Sequence, residues 1–349
     1  MICRFWLVLA LTGAALPALG DDCLTRIWKG KVGDIPVMIA FESLGADSQI
    51  GGRYYYRNQM EDLLLIRDAP SVAQWKEVDP KGRVTAYLSL TCRGDELIGE
   101  WQAADGKRRL QITAYAANAE TYSRQRFEAV RPRLVERLRF GANRYERIAV
   151  AEHASHLGLR LVGNGAGLAR INQTLMQDFL AALDNDIQCR AQGRWMQGEQ
   201  HSYENTSEWR VIAWNRTYVV IGSQSSGYCG GAHPYSGSGA MTYDLETGQK
   251  VDISTWLTAD YQQSISRDSK LWRTLIKRYR SGSEYDEACI DSLEFSASMV
   301  WPTSSGMVFQ PFAPYALQFC IEEVEVPYSA IAGFLSPLGK SQVRRFQGR

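Results

Sequence analysis

"VGDIPVMIAFES", Val32 to Ser43, opens a run that decides how the first third of the chain folds. Val37, Ile39 and Phe41 alternate with other residues, so one face of an extended strand is apolar. Working outward, "GRYYYRN", "DLLLIRD", "AQWKEVD", "VTAYLSLTC", "ELIGEWQAA" and "RLQITAYA" repeat this short β-type character up to about Tyr115. Turn residues split them, as at Asp79-Pro-Lys-Gly82 and Asp105-Gly106, which are hairpin signals. "IGGRYYY" (Ile50 to Tyr56) is echoed by "LIGEWQA" (Leu97 to Ala103), each with a glycine two places before an aromatic. A glycine there permits a bulge or a close strand approach. The expected unit, residues 21–116, is an antiparallel β barrel or sandwich.

Residues 117–144 read as a polar, Arg-rich linker, partly helical. Beyond it, 145–349 is expected to be an α+β domain with two helices packed on an antiparallel sheet. Leu168, Ile171, Leu175, Phe179, Leu183 and Ile187 recur at helical spacing. "ADYQQSISRDSKLWRTLIKRYR" predicts the second helix, with Ile265, Leu271, Leu275 and Tyr279 inward. "EWRVIAWNRTYVVIGSQSSGY" reads as two strands around Asn215-Arg216, and "MTYDLETGQKVDISTWL" as a hairpin turning at Glu246-Thr-Gly248.

Upstream of all this, Arg4, the apolar stretch Phe5 to Leu16 and the small residues Ala18 and Gly20 read as a cleaved secretory signal over residues 1–20. The apolar run is shorter than a spanning helix needs, and no later stretch qualifies. The expectation is an exported, periplasmic protein with no stable membrane span. Loss of the signal removes Cys3 and leaves Cys23, Cys92, Cys189, Cys229, Cys289 and Cys320, an even set for which disulfides are the default in an oxidising compartment. Six cysteines allow fifteen pairings. Sorting them by domain sets Cys23 with Cys92 and leaves the other four to pair among themselves, with Cys189 to Cys229 and Cys289 to Cys320 as the expected arrangement.

The chain has 349 residues and a formal charge of +1, which argues against nucleic acid as partner. Charge is unevenly placed: no Lys or Arg falls between Arg280 and Lys340, while Glu284, Asp286, Glu287, Asp291, Glu294, Glu322, Glu323 and Glu325 do. This is either a solvated face or an acidic patch for a cationic partner.

Chemistry-bearing motifs are sparse. Cys229-Gly-Gly-Ala-His233 has the spacing of half a metal site, but a zinc site needs at least three protein ligands, and no HExxH or CxxC is present. A tight corner fits better: Gly230 and Gly231 supply positive φ, Pro234 fixes the exit and biases His233 towards extended backbone, and Cys229 anchors a disulfide. His153 and His156, three apart on a strand-like run, should face opposite ways as unrelated surface or half-buried side chains. "GNGAG" (Gly163 to Gly167) lacks the third glycine of a dinucleotide loop and the Lys-Ser/Thr of a P-loop. No GxSxG elbow occurs. No cofactor, no metal and no catalytic residue is expected. "FQPFAPYALQF" (Phe309 to Phe319) carries Phe312 and Tyr315 among Pro311 and Pro314; its aromatics either fill the core or stay exposed as rigid binding anchors.

"GGAHPYSGSGAMTYDLETGQKVDISTWL" followed by "GMVFQPFAPYALQFCIEEVEVPYSAIAGFL" resembles the DUF3298 family, also called the RsiV-type C-terminal domain. Gly230 to Pro234, Asp244 to Leu257, Gly306 to Tyr315 and Val324 to Leu335 carry the match. The resemblance implies binding more than chemistry: a known member class is an anti-sigma factor whose extracellular domain binds lysozyme, a cationic cell-wall hydrolase. For this chain it implies a protein partner of that kind, and the aromatic stretch with the acid-rich segment behind it makes Phe312, Pro314, Tyr315, Glu322 and Glu323 the expected contacts. The alternatives are an enzyme modifying peptidoglycan or another envelope glycan, with His233 near acids, and an immunity or assembly factor for an exported toxin.

Overall fold

The computed structural model describes residues 26–44, 49–57, 59–67, 74–128, 130–197, 203–282 and 287–348. The expected signal segment and Cys23 lie outside them, and with Cys23 the expected Cys23–Cys92 pair. Two compact units emerge, one built mainly on residues 26–128, the other on 130–193 and 203–348; residues 194–197 group with the first.

The first unit is a closed antiparallel barrel of eight strands. They are β1 (Ile27–Val32), β2 (Ile35–Leu44), β3 (Gln49–Tyr56), β4 (Leu63–Ile66), β5 (Gln74–Val78), β6 (Val84–Arg93), β7 (Glu96–Ala103) and β8 (Arg109–Ala117). Each pairs with its successor, and β1 closes on β8. The alternation read at Val37, Ile39 and Phe41 sends these side chains inward, where they meet Trp28, Tyr54, Leu65, Trp75, Leu88 and Leu97. Each such buried side chain contributes roughly 1.5–3 kcal/mol. The echoing glycine of β7 is there for close approach: a Cβ on Gly99 would stand 2.1 Å from the Ser89 carbonyl oxygen.

The stretch 117–144, expected as a linker, holds two regular elements. Helix α1 (Ala119–Phe127) packs on the barrel's outer face, with Tyr122 against Met38, Ala40 and Tyr55. Asn118 caps it by accepting from the Thr121 amide at 2.9 Å. The fully buried Asp62 carboxylate fastens it, accepting from Tyr122 Oη at 3.0 Å and Arg126 Nη2 at 2.8 Å, while the Arg126 guanidinium lies 4.1 Å over the Tyr55 ring. Strand β9 (Arg133–Phe140) then pairs with β10 (Asn143–Val150).

In the second unit, β9, β10, β11 (His153–Val162), β12 (Glu204–Trp214), β13 (Tyr218–Tyr228) and β14 (Tyr235–Asp244) make a six-stranded sheet, order β14-β13-β12-β11-β10-β9. It is mixed where a purely antiparallel one was expected: α2 (Ala166–Gln197) carries the chain from β11 to β12, which run parallel. The helical stripe Leu168 to Ile187 is buried throughout, and Phe179 meets Trp209 edge-on.

A four-stranded sheet follows, β15 (Ser264–Ile265), β16 (Glu294–Pro302), β17 (Gly306–Phe312) and β18 (Val324–Pro327). The second expected helix is shorter than its periodicity suggested. Only α3 (Lys270–Gly282) is α-helical, with Leu271, Leu275 and Tyr279 inward, whereas Ile265 is buried as part of β15. The hairpin read at Glu246 to Gly248 reduces to one bridge, Tyr243 with Lys250, before a 3-10 turn over Ile253–Trp256. Helices α4 (Glu287–Ser292), α5 (Tyr328–Ile331) and α6 (Pro337–Phe346) complete the unit. Among the described residues no helix is long and apolar enough to cross a membrane.

Candidate functional site

The corner between β13 and β14 is built from backbone requirements. Gly230 and Gly231 adopt φ +91° and +89°, a region closed to most L-residues. A Cβ on Gly230 would also stand 2.9 Å from Tyr203 Oη. Cys229 ties the corner to α2 through its disulfide with Cys189, and Tyr228 Oη donates to the Gly231 carbonyl at 2.9 Å. Gly230 and Gly231 thus carry the sharp part of the corner, and His233 is carried out on the exposed side.

There its ring stacks on Tyr315, with centroids 4.4 Å apart and planes 18° from parallel. Tyr315 opens a 3-10 turn over Tyr315–Cys320, entered through Pro314, whose ring fixes φ near −55°. The second described disulfide, Cys289 to Cys320, pins the end of that turn, and Tyr279 Oη donates to the Cys320 carbonyl at 2.9 Å. Of the expected contact residues, Tyr315 is 48% exposed and Phe312 49%, with Phe319 at 59% beside them. The aromatic stretch thus divides: Phe309 goes to the core, and Phe312, Tyr315 and Phe319 stay outside. Glu322 is half-buried and Glu323 exposed, and neither makes an ion pair among the described residues. Other acids of that region are engaged: Glu287 pairs with Arg280 at 2.7 Å, and Glu325 accepts from Ser305 and Thr303. Glu284 and Asp286 lie outside the described residues.

Behind the corner is a polar cluster that the strand pattern hid. His153 and His156 are both buried, and they converge. The register of β10 with β11 slips between Ile148 and Val150, a bulge that resets the alternation, so side chains three apart reach the same carboxylate. Asp186 Oδ2 lies 3.4 Å from His156 Nε2, 3.6 Å from His153 Nδ1 and 3.1 Å from Arg190 Nη2. Its Oδ1 accepts from the Asn205 amide at 2.9 Å, and the Asn205 side chain accepts from Tyr235 Oη, at the start of β14. Burial alone would raise the Asp186 carboxyl, but hydrogen bonding from His153, His156 and the Asn205 amide, with the charge of Arg190, outweighs it. The group is held well below the usual carboxylate range. One signal pointed here: Asp186 falls three after Leu183 and seven after Phe179, on the buried stripe of α2, where a charge must be matched by partners.

His156 Nδ1 also lies 2.7 Å from Ser207 Oγ. Serine, histidine and aspartate in a row have the composition of a hydrolytic triad. All three are buried, however, and the carboxylate is shared with Arg190 and Asn205. The arrangement braces α2, β11 and β12 and, through Asn205 and Tyr235, the corner that carries His233. Among the described residues no group of three or more His, Cys, Asp or Glu is placed to hold a metal ion.

No family model matches the chain, and no curated protein matches it. Solved structures similar to it include two DUF3298 family proteins. A DUF3298 family protein from Bacteroides fragilis has 14% identity and a TM-score of 0.39, covering 59% of this chain and 92% of its own. A DUF3298 family protein from Pseudomonas aeruginosa has 16% identity and a TM-score of 0.37, covering 59% of this chain and 95% of its own. Both neighbours bear the name of the family whose motifs Gly230 to Pro234 and Gly306 to Tyr315 resemble.

Proposed function

We propose that this chain is an exported, periplasmic binding protein that performs no bond chemistry and takes a protein partner on the surface around His233, Phe312, Pro314, Tyr315, Glu322 and Glu323. A cationic cell-wall hydrolase of the lysozyme type is the partner that suits it best. The observation that carries the reading is the exposed stack of His233 on Tyr315. Aromatic side chains with few rotatable bonds, on a turn already fixed by proline and a disulfide, lose little entropy on contact and make strong anchors. Two carboxylates without ion pairs beside them favour a positively charged partner and speed its approach. Two disulfides in the described residues fit an oxidising compartment.

Calorimetric titration with hen-type lysozyme at low and moderate salt tests this. Binding at micromolar concentrations is expected, weakening as salt rises. Tyr315→Ala should weaken it by about 2 kcal/mol, some thirtyfold. Glu322→Lys with Glu323→Lys should mainly slow association. Absence of heat at micromolar concentrations removes the lysozyme reading.

A further inference from the structure

The barrel carries a feature that the partner surface does not use. An open groove of about 1270 Å³ runs along its outer wall between β1, β8 and α1. The strand period dictates its floor. With Trp28 and Val32 inside the barrel, Lys29 and Lys31 must point out, and the register of β1 with β8 sets Lys29 opposite Tyr115 and Lys31 opposite Thr113. Two ammonium groups, a phenol ring and a hydroxyl therefore share one face.

The charges on this face are not balanced from within. Arg57, which also lines the groove, is paired with Glu128 at 3.2 Å, whereas Lys29 and Lys31 make no ion pair among the described residues. Two like charges two residues apart on one strand face repel each other until an anion lies between them. Tyr115 is 62% exposed, although it sits in the middle of a strand-paired wall.

The opposite wall, α1, is fixed by the Asp62 knot and brings Thr121 and Gln125 to the groove. Gln125 is only 4% exposed and lines the groove. A group entering there can meet both the donor and the acceptor of its side-chain amide.

An aromatic face, an amide with both hydrogen-bonding senses, hydroxyls and two free ammonium groups together suit a ligand rich in hydroxyls and carrying carboxylates. The groove opens to solvent, which leaves room for a chain to continue beyond it. Nucleic acid would need more cations than two. We infer that this groove binds an acidic oligosaccharide, its carboxylates on Lys29 and Lys31, a sugar face on Tyr115 and hydroxyls on Gln125 and Thr121. This inference is independent of the partner surface around His233.

The test uses the whole chain, titrated calorimetrically with an oligogalacturonide, with a neutral cello-oligosaccharide of equal length and with polyglutamate of equal charge. The oligogalacturonide should bind, the neutral sugar more weakly and polyglutamate more weakly still. Lys29→Glu with Lys31→Glu, both exposed and outside the core, should cost about tenfold in affinity for the acidic sugar and steepen no thermal transition. Tyr115→Ala should weaken both sugars several-fold, and Gln125→Leu should do so while keeping the packing of α1. No heat with the oligogalacturonide, affinity unchanged in the double lysine variant, or polyglutamate binding as tightly as the sugar would each overturn the proposal.

Discussion

Asp186 brings two histidines, an arginine and a backbone amide within reach of its two oxygens, at a site where a carboxylate has lost most of its water. Asp186→Asn keeps the shape and removes the charge. It should lower stability by about 3 kcal/mol in urea unfolding, as breaking a buried charged network does. The pH dependence has a definite sign. Because the folded carboxyl is held below its unfolded value of about 3.9, its contribution is complete above that pH and is lost as pH falls further. The wild-type stability curve should therefore drop below about pH 4 more steeply than that of Asp186→Asn, measured by denaturant midpoints across that range. Residues differ in how openly the sequence declares them. Gly230 and Gly231 announce positive φ because no other residue adopts it cheaply, whereas the convergence of His153 and His156 depends on a bulge that strand alternation cannot foresee.

At the scale of elements, the β13–β14 corner is held by Cys189 to Cys229, and the aromatic turn by Cys289 to Cys320, closing loops of 40 and 31 residues. In the chain-entropy account each is worth about 4 kcal/mol through the unfolded state. Cys189→Ser with Cys229→Ser should cost about that much in thermal or urea unfolding, and Gly230→Ala about 1–2 kcal/mol by forcing a side chain onto both an unfavourable φ and Tyr203. Strands and α2 were legible because their apolar periods are clean. The second helix is shorter than its apolar pattern because Ile265 fits a helical stripe as well as the two-residue strand it joins. Residues 117–144 looked like a linker because α1 buries an arginine and a glutamine, and β9 is exposed on nearly its whole length, so neither shows a strong apolar period.

Over the whole molecule, the fold class was readable while its closure was not. Alternation marks each barrel strand locally, but only the pairing of β1 with β8, distant in sequence, decides barrel over sandwich. The same limit applies to the sites: the aromatic turn was visible as composition, yet its meeting with His233 joins segments far apart in sequence, and the basic groove arises only when β1, β8 and α1 come together. One joint in this plan stands out. β11 and β12 touch through just two residue pairs, His156 with Ser207 and Leu157 with Glu208, while the flanking antiparallel pairs are much longer. Such a short ladder is where the six-stranded sheet should open first. In native-state hydrogen exchange, backbone amides around Leu157 and Glu208 should trade their protons for deuterium sooner than those of central β13, and sooner still once Asp186→Asn has loosened the clasp beneath them.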